Sequence, residues 1–132
     1  MTHPTQPDFH PVHHPSYIDF FEQVLADTTD PHVMSQKWEK QYAEDEWYKH
    51  LYRTTYAYHG VHPFYMWYWG SHALKHCSRI IIVGGDPKTV RRLGFIPAST
   101  MDDALEIASD VVGRAPTITH LHAPPLMVAD VS

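Results

Sequence analysis

Histidine sets the chemistry this chain has to offer. Twelve of the 132 residues are histidine, the commonest protein metal ligand and the side chain that titrates nearest neutral pH. They fall in groups. His62 opens the stretch His62-Pro-Phe-Tyr-Met-Trp-Tyr-Trp-Gly70, which holds five aromatics in nine residues. A histidine among aromatics at a helix start suits a carboxylate contact or acid/base work; an ordinary capping or surface histidine is the commoner outcome. His72 and His76 are four apart, so on a helix both imidazoles reach one side and one metal ion. No third ligand is marked beside them. His120 and His122 alternate on one face of an expected strand, near the carboxyl edge where α/β sheets bind ligands. They are the better metal or substrate pair, although structural histidines also fit. His10, His13 and His14 lie in a Pro-rich leader, where a metal would bind only adventitiously.

Other reactive groups read as structural. Cys77 has no marked base partner and is expected in the core. Glu44-Asp45-Glu46 reads as a solvated charge run, because only positions three or four apart share a helix face. Gly84-Gly85 sits between a strand and a helix start, a geometry suited to anions. It lacks the three spaced glycines of a dinucleotide fingerprint, so a tight turn is the default.

The elements that must position these groups follow from pattern. Residues 1–15 form an expected flexible arm, with four prolines and four histidines. A helix is expected over Tyr17–Asp27, with Ile18, Phe21, Val24 and Leu25 buried. Asp30-Pro31 is an N-cap and first helical residue. It opens a long expected helix to about Tyr58, with Val33, Trp38, Tyr42, Trp47 and Leu51 along one face and Gly60 as its stop. Pro63 starts the aromatic helix, with Met66, Trp69, Ala73 and Cys77 on one stripe. Arg79–Val83 reads as a strand buried on both faces. Asp86-Pro87 opens a short helix that Gly94 ends. Phe95-Ile96-Pro97 is extended. Thr100 and Asp103 form an acidic capping box for the helix Met101–Val112, with Met101, Ala104, Leu105, Ala108, Val111 and Val112 expected on its buried face. Thr117–His122 is a second expected strand. The sum is an α/β fold: a partial Rossmann-like parallel sheet behind a helix-rich N-terminal half, as one domain over 16–125 with a tail at 126–132.

Composition excludes some functions. A net charge of −5 with scattered lysine and arginine argues against nucleic acid, which needs a basic stripe. No apolar run has the length of a membrane span. The leader lacks the apolar region of a signal peptide. A single cysteine rules out an internal disulfide and suits a reducing cytoplasm.

His14-Pro15-Ser16-Tyr17 followed by an aromatic helix, the strand Ile80–Val83, and above all DPKTVRRLGFIPASTMDDAL over Asp86–Leu105 together resemble the C-terminal domain of the nickel-pincer lactate racemase family. The resemblance spans about residues 13–125. It implies a module that covers the active site of an isomerase. In that family a separate N-terminal domain holds the nickel-pincer nucleotide and two catalytic histidines, and 2-hydroxy-acid enantiomers interconvert by hydride transfer. These 132 residues carry no counterpart of that domain. A cofactor-bearing domain or subunit is therefore the expected partner, with a small 2-hydroxy acid as substrate, and a homo-oligomer is also possible. The family's Gln-Trp-Gln-type segment reads here as Phe64–Trp69, where Trp67 is the matching aromatic. The missing glutamines point to a 2-hydroxy acid other than lactate. His62, Tyr65 and Trp67 are the expected substrate-binding residues. Two alternatives stay open: a non-catalytic interaction domain using residues 62–70, and a His-rich metal binder.

Overall fold

A computed structural model of the chain describes residues 14–121. The arm at 1–13 (with His10 and His13) and the last eleven residues, 122–132 (with His122 and the tail), lie outside the described residues.

The chain folds as a helix-rich α/β protein. Helix α1 begins at Pro15–Asp19, widens into a π-turn over Phe20–Val24 and closes at Leu25–Asp27. Helix α2 likewise runs through Pro31–Met34, a π-turn at Ser35–Glu39 and Lys40–Glu44. Asp30 caps α2 by accepting the His32 amide at 2.8 Å, with Pro31 first in the helix, as expected from residue type.

The expected long helix to Tyr58 is broken. Asp45 turns extended (ψ 119°) and its carboxylate accepts the Trp47 and Tyr48 amides, both at 2.9 Å. The residue read as part of a charge run is the N-cap of a new helix, α3, Glu46–Thr54. That helix stops at two threonines whose hydroxyls bond back to the His50 and Leu51 carbonyls at 2.7 Å, a habit that weakens helices. Of the expected face, Tyr42 and Leu51 are buried, while Val33 and Trp47 are exposed. Gly60 lies well beyond the helix end and has another role. A Cβ there would sit 2.4 Å from the Tyr42 carbonyl oxygen and 2.9 Å from the Tyr48 ring, so only glycine lets the loop pass.

Helix α4 is His62–His72, followed by a 3₁₀ turn at Ala73–Lys75. Strand β1 is Ile81–Val83 and strand β2 is Ile96–Ala98. They pair in parallel, Ile81 opposite Ile96 and Val83 opposite Ala98. Helix α5, Pro87–Arg92, crosses between them. Asp86 caps it by accepting the Thr89 amide at 2.7 Å. Its far end closes as a Schellman turn: Phe95 N–H to Val90 O, Gly94 N–H to Arg91 O, with Gly94 at φ +77°. Helix α6, Met101–Val112, starts on the expected capping box, with Thr100 and Asp103 each accepting the other's amide.

One core holds the helical half. Phe20, Phe21, Val24, Leu25, Met34, Tyr42, Tyr48, Val61, Phe64 and Leu93 form it. Helix α5 is fastened to it: Arg92 donates to the Phe21 and Glu22 carbonyls, both at 3.1 Å, and lies over the Phe21 ring.

Several burial expectations fail for one reason. Periodicity tells which residues share a face, not whether anything covers it. Among the described residues the sheet has two strands; β1 is shorter than Arg79–Val83, and its residues are half-buried or exposed, not covered on both faces. On α6 only Ala104 is buried, whereas Met101 (62% exposed), Leu105, Val111 and Val112 are open. Residues 117–121 form no strand; they are irregular, and Ile118 and Leu121 are exposed. Cys77 is exposed rather than core. No helix among the described residues is long and apolar enough to cross a membrane.

Candidate functional site

Helix α4 carries the aromatic stretch, and three side chains fix its orientation. Phe64 is fully buried, edge-on to Phe20 at 4.8 Å and to Tyr42 at 5.0 Å. The Trp67 indole N–H donates to the Thr29 carbonyl at 3.0 Å. The Tyr68 hydroxyl donates to the Glu39 carboxylate at 2.8 Å; burial, then this bond, push its pKa up. With that side turned inward, the opposite side faces out. Trp69 is 77% exposed and Tyr65 50%. The stripe Met66, Trp69, Ala73 and Cys77 is therefore the outer one, since its last three members are all exposed. Anchoring fell to the buried ring of Phe64 and to Trp67 and Tyr68, whose polar tips find partners while their rings pack.

His62 occupies the start of α4 and meets the start of α1. The Tyr17 hydroxyl and His62 Nδ1 are 2.5 Å apart. Tyr58, from the loop before α4, stacks on His62 at 4.3 Å and 8° between planes, and His14 stacks on the far face of that cluster, 4.8 Å from Tyr58. Burial holds His62 below the ordinary histidine value and pushes the Tyr17 phenol up to about 12. Both groups are thus neutral near pH 7. A phenol that donates to Nδ1 leaves the imidazole proton on Nε2, where His62 can act as a hydrogen-bond donor held in one orientation. Tyr17 and Tyr58 were missed as site residues from sequence. The only hint was His14 and Tyr17 within one motif; 45 residues separate Tyr17 from His62.

The expected substrate residues divide accordingly. Three residues on from His62, Tyr65 stands about 60° round the helix; Trp67 stands about 140° round from His62. His62 and Tyr65 share a side, and Trp67 anchors the helix away from them.

The metal candidates do not assemble. The His72 and His76 rings approach to 4.9 Å at the end of α4. Yet among the described residues no group of three or more His, Cys, Asp or Glu is arranged to hold an ion. His120 is exposed in an irregular segment. Glu44 pairs with Lys40, Glu46 with Lys49, and Asp45 caps α3, so that acidic run is structural.

Comparison with protein-family models, with curated proteins and with solved structures gives no match for this chain.

Proposed function

We propose that this chain is a substrate-covering module of a nickel-pincer racemase-like isomerase acting on a 2-hydroxy acid. It works docked against a domain that carries the cofactor, on the same or another chain, in a reducing cytoplasm. The observation that carries this reading is the bare α/β half. The outer side of α6 and residues 117–121 present Met101, Leu105, Val111, Val112, Ile118 and Leu121 to solvent, and Val83 of β1 is exposed as well. A parallel sheet is normally covered on both faces, so this surface suits a Rossmann-like array continued by a second domain. The described residues do not themselves fit a nickel centre, since no trio of ligands converges. The pincer nucleotide is accordingly assigned to the partner domain. His62, fixed by Tyr17 and Tyr58, offers a neutral N–H to a substrate carboxylate, and Tyr65 offers a hydroxyl beside it. Trp67 contributes wall rather than a donor, because its N–H is taken by Thr29.

The test is reconstitution. Neither piece alone should racemise 2-hydroxy acids; the chain mixed with a cofactor-loaded partner domain should, as read by chiral chromatography. His62→Ala and Tyr65→Phe should each raise KM at least several-fold. Failure of every pairing to give turnover would count against the reading.

A second reading is favoured by one observation. Trp69 and Tyr65 stand out from α4 in the free chain, as aromatic hot spots of an interaction surface do. In a non-catalytic interaction domain, Trp69→Ala would abolish partner binding and no pairing would give racemisation.

A further inference from the structure

The strand ends form a second site, independent of the aromatic helix. Immediately past the carboxyl ends of β1 and β2 lies a cavity of about 270 Å³ whose lining includes Gly84, Gly85, Arg91 and Ser99. This is the edge at which open α/β sheets take ligands. Gly84 adopts φ +74°, and a Cβ built there would meet nothing within 4 Å. The backbone thus faces open space that a ligand can enter closely. Arg91 also lines a neighbouring groove of about 450 Å³, with Lys88 at its side and Leu25 and Ala26 on its floor.

Charge singles this place out. The chain carries −5 overall, yet Lys88, Arg91 and Arg92 fall within five residues. Arg92 is committed to the Phe21 and Glu22 carbonyls and lies 3.8 Å from the Glu22 carboxylate. The Asp86 carboxylate is turned onto the Thr89 amide. Arg91 makes one long bond, 3.4 Å, to the Pro87 carbonyl, and Lys88 joins no ion pair among the described residues. Arg91 therefore remains available at the junction of cavity and groove, and Lys88, whose charge also faces the Asp86 carboxylate, stands in the groove beside it.

We propose that this junction binds the phosphate group of a small phosphomonoester. A phosphate dianion outweighs the single Asp86 carboxylate in drawing Lys88 and Arg91, and its oxygens match the planar guanidinium fork. The Ser99 hydroxyl and the open glycine backbone complete its surroundings, while the Leu25–Ala26 floor takes the less polar remainder. A carboxylate has only two oxygens, too few to meet Arg91, Ser99 and the glycine backbone together.

The test uses the whole chain, with no partner domain, so its outcome is separate from that of the racemase reading. Inorganic phosphate, adenosine monophosphate and lactate are titrated in turn while backbone amide resonances are followed. Phosphate and the nucleotide should shift Gly84, Gly85, Arg91 and Ser99 saturably, with millimolar or tighter Kd that weakens with salt. Arg91→Ala should weaken binding about tenfold or more, Arg91→Lys less, and Lys40→Ala on the exposed side of α2 not at all. Circular dichroism checks that each variant keeps the fold. Unsaturable shifts, or affinity unchanged in Arg91→Ala, would overturn the site. Lactate binding as tightly as phosphate would overturn the ligand class.

Discussion

Two aromatics five residues apart on one helix should behave as opposites. Phe64 is 0% exposed, and three rings surround it edge-on: Phe20 at 4.8 Å, Tyr42 at 5.0 Å and Tyr68 at 6.4 Å. Truncating a buried phenylalanine to alanine costs about 3–5 kcal/mol in lost transfer and cavity energy. The edge-on partners, each worth about 0.5–1.5 kcal/mol beyond area, put Phe64→Ala in the upper part of that range. Against a total stability of about 5–15 kcal/mol, a third or more is gone. With a urea m-value of about 2 kcal/mol/M, the midpoint should fall by about 2 M. Trp69→Ala removes a larger side chain that is 77% exposed and should stay within about 0.5 kcal/mol of the parent. Urea unfolding followed by tryptophan fluorescence and far-UV circular dichroism measures both. If Phe64→Ala costs under 1 kcal/mol, or Trp69→Ala costs as much as Phe64→Ala, the orientation assigned to α4 is wrong.

Two glycines should respond to alanine with opposite sign. Gly60→Ala forces a Cβ to 2.4 Å from the Tyr42 carbonyl oxygen, a backbone atom that cannot swing aside, and should lose about 1–3 kcal/mol; Gly70→Ala, in α4 with nothing within 4 Å, should gain about 0.5–1 kcal/mol. Thermal melts of the two variants separate these outcomes. The pH dependence follows from His62, whose folded value lies below 6.5 because burial disfavours the imidazolium. Below pH 6.5 the unfolded chain binds the proton first, so stability is full above 6.5 and falls as pH drops through the folded value. His62→Gln should remove that part of the slope, and equal slopes in parent and variant would refute the burial of His62. The Asp86 carboxylate, held below 3.8 first by its bond from the Thr89 amide, adds a separate loss in a more acid window.

Local chemistry was legible in the sequence and long-range chemistry was not. Asp30-Pro31, Asp86-Pro87 and Thr100–Asp103 each marked a helix start that the structure reproduces, because a cap depends on residues two or three apart. Asp45 obeyed the same rule, but acidic neighbours on both sides disguised it as surface charge. The aromatic helix offered more than one apolar stripe, and pattern could not choose between them. The choice fell to Glu39 and Thr29, partners contributed by distant elements to Tyr68 and Trp67. The His62 cluster needed two helix starts to meet, and nothing in either segment alone announces the other.

The two halves of the chain stand in different relation to their sequence. In the helical half Phe21, Val24, Leu25, Tyr42 and Leu51 find the core that pattern assigns to them, while Val33, Trp47 and Trp69 stay exposed. In the α/β half the same kind of pattern is present, yet Met101, Leu105, Val111 and Val112 remain bare. In both halves the rule gives faces and not cover, so the exposed residues are informative about covering rather than about pattern. What holds the second half in place is borrowed: Arg92 on the Phe21 carbonyl, Leu93 in the helical core, Gly94 against Thr29. These ties all lie at one end of α5, whereas the outer side of α6 is exposed. The proposed anion cavity and the apolar surface of α6 belong to that same half, whereas the described members of the His62 cluster belong to the helical one. The proposed covering module would use this division, with the helical half holding contact residues in position and the α/β half docking.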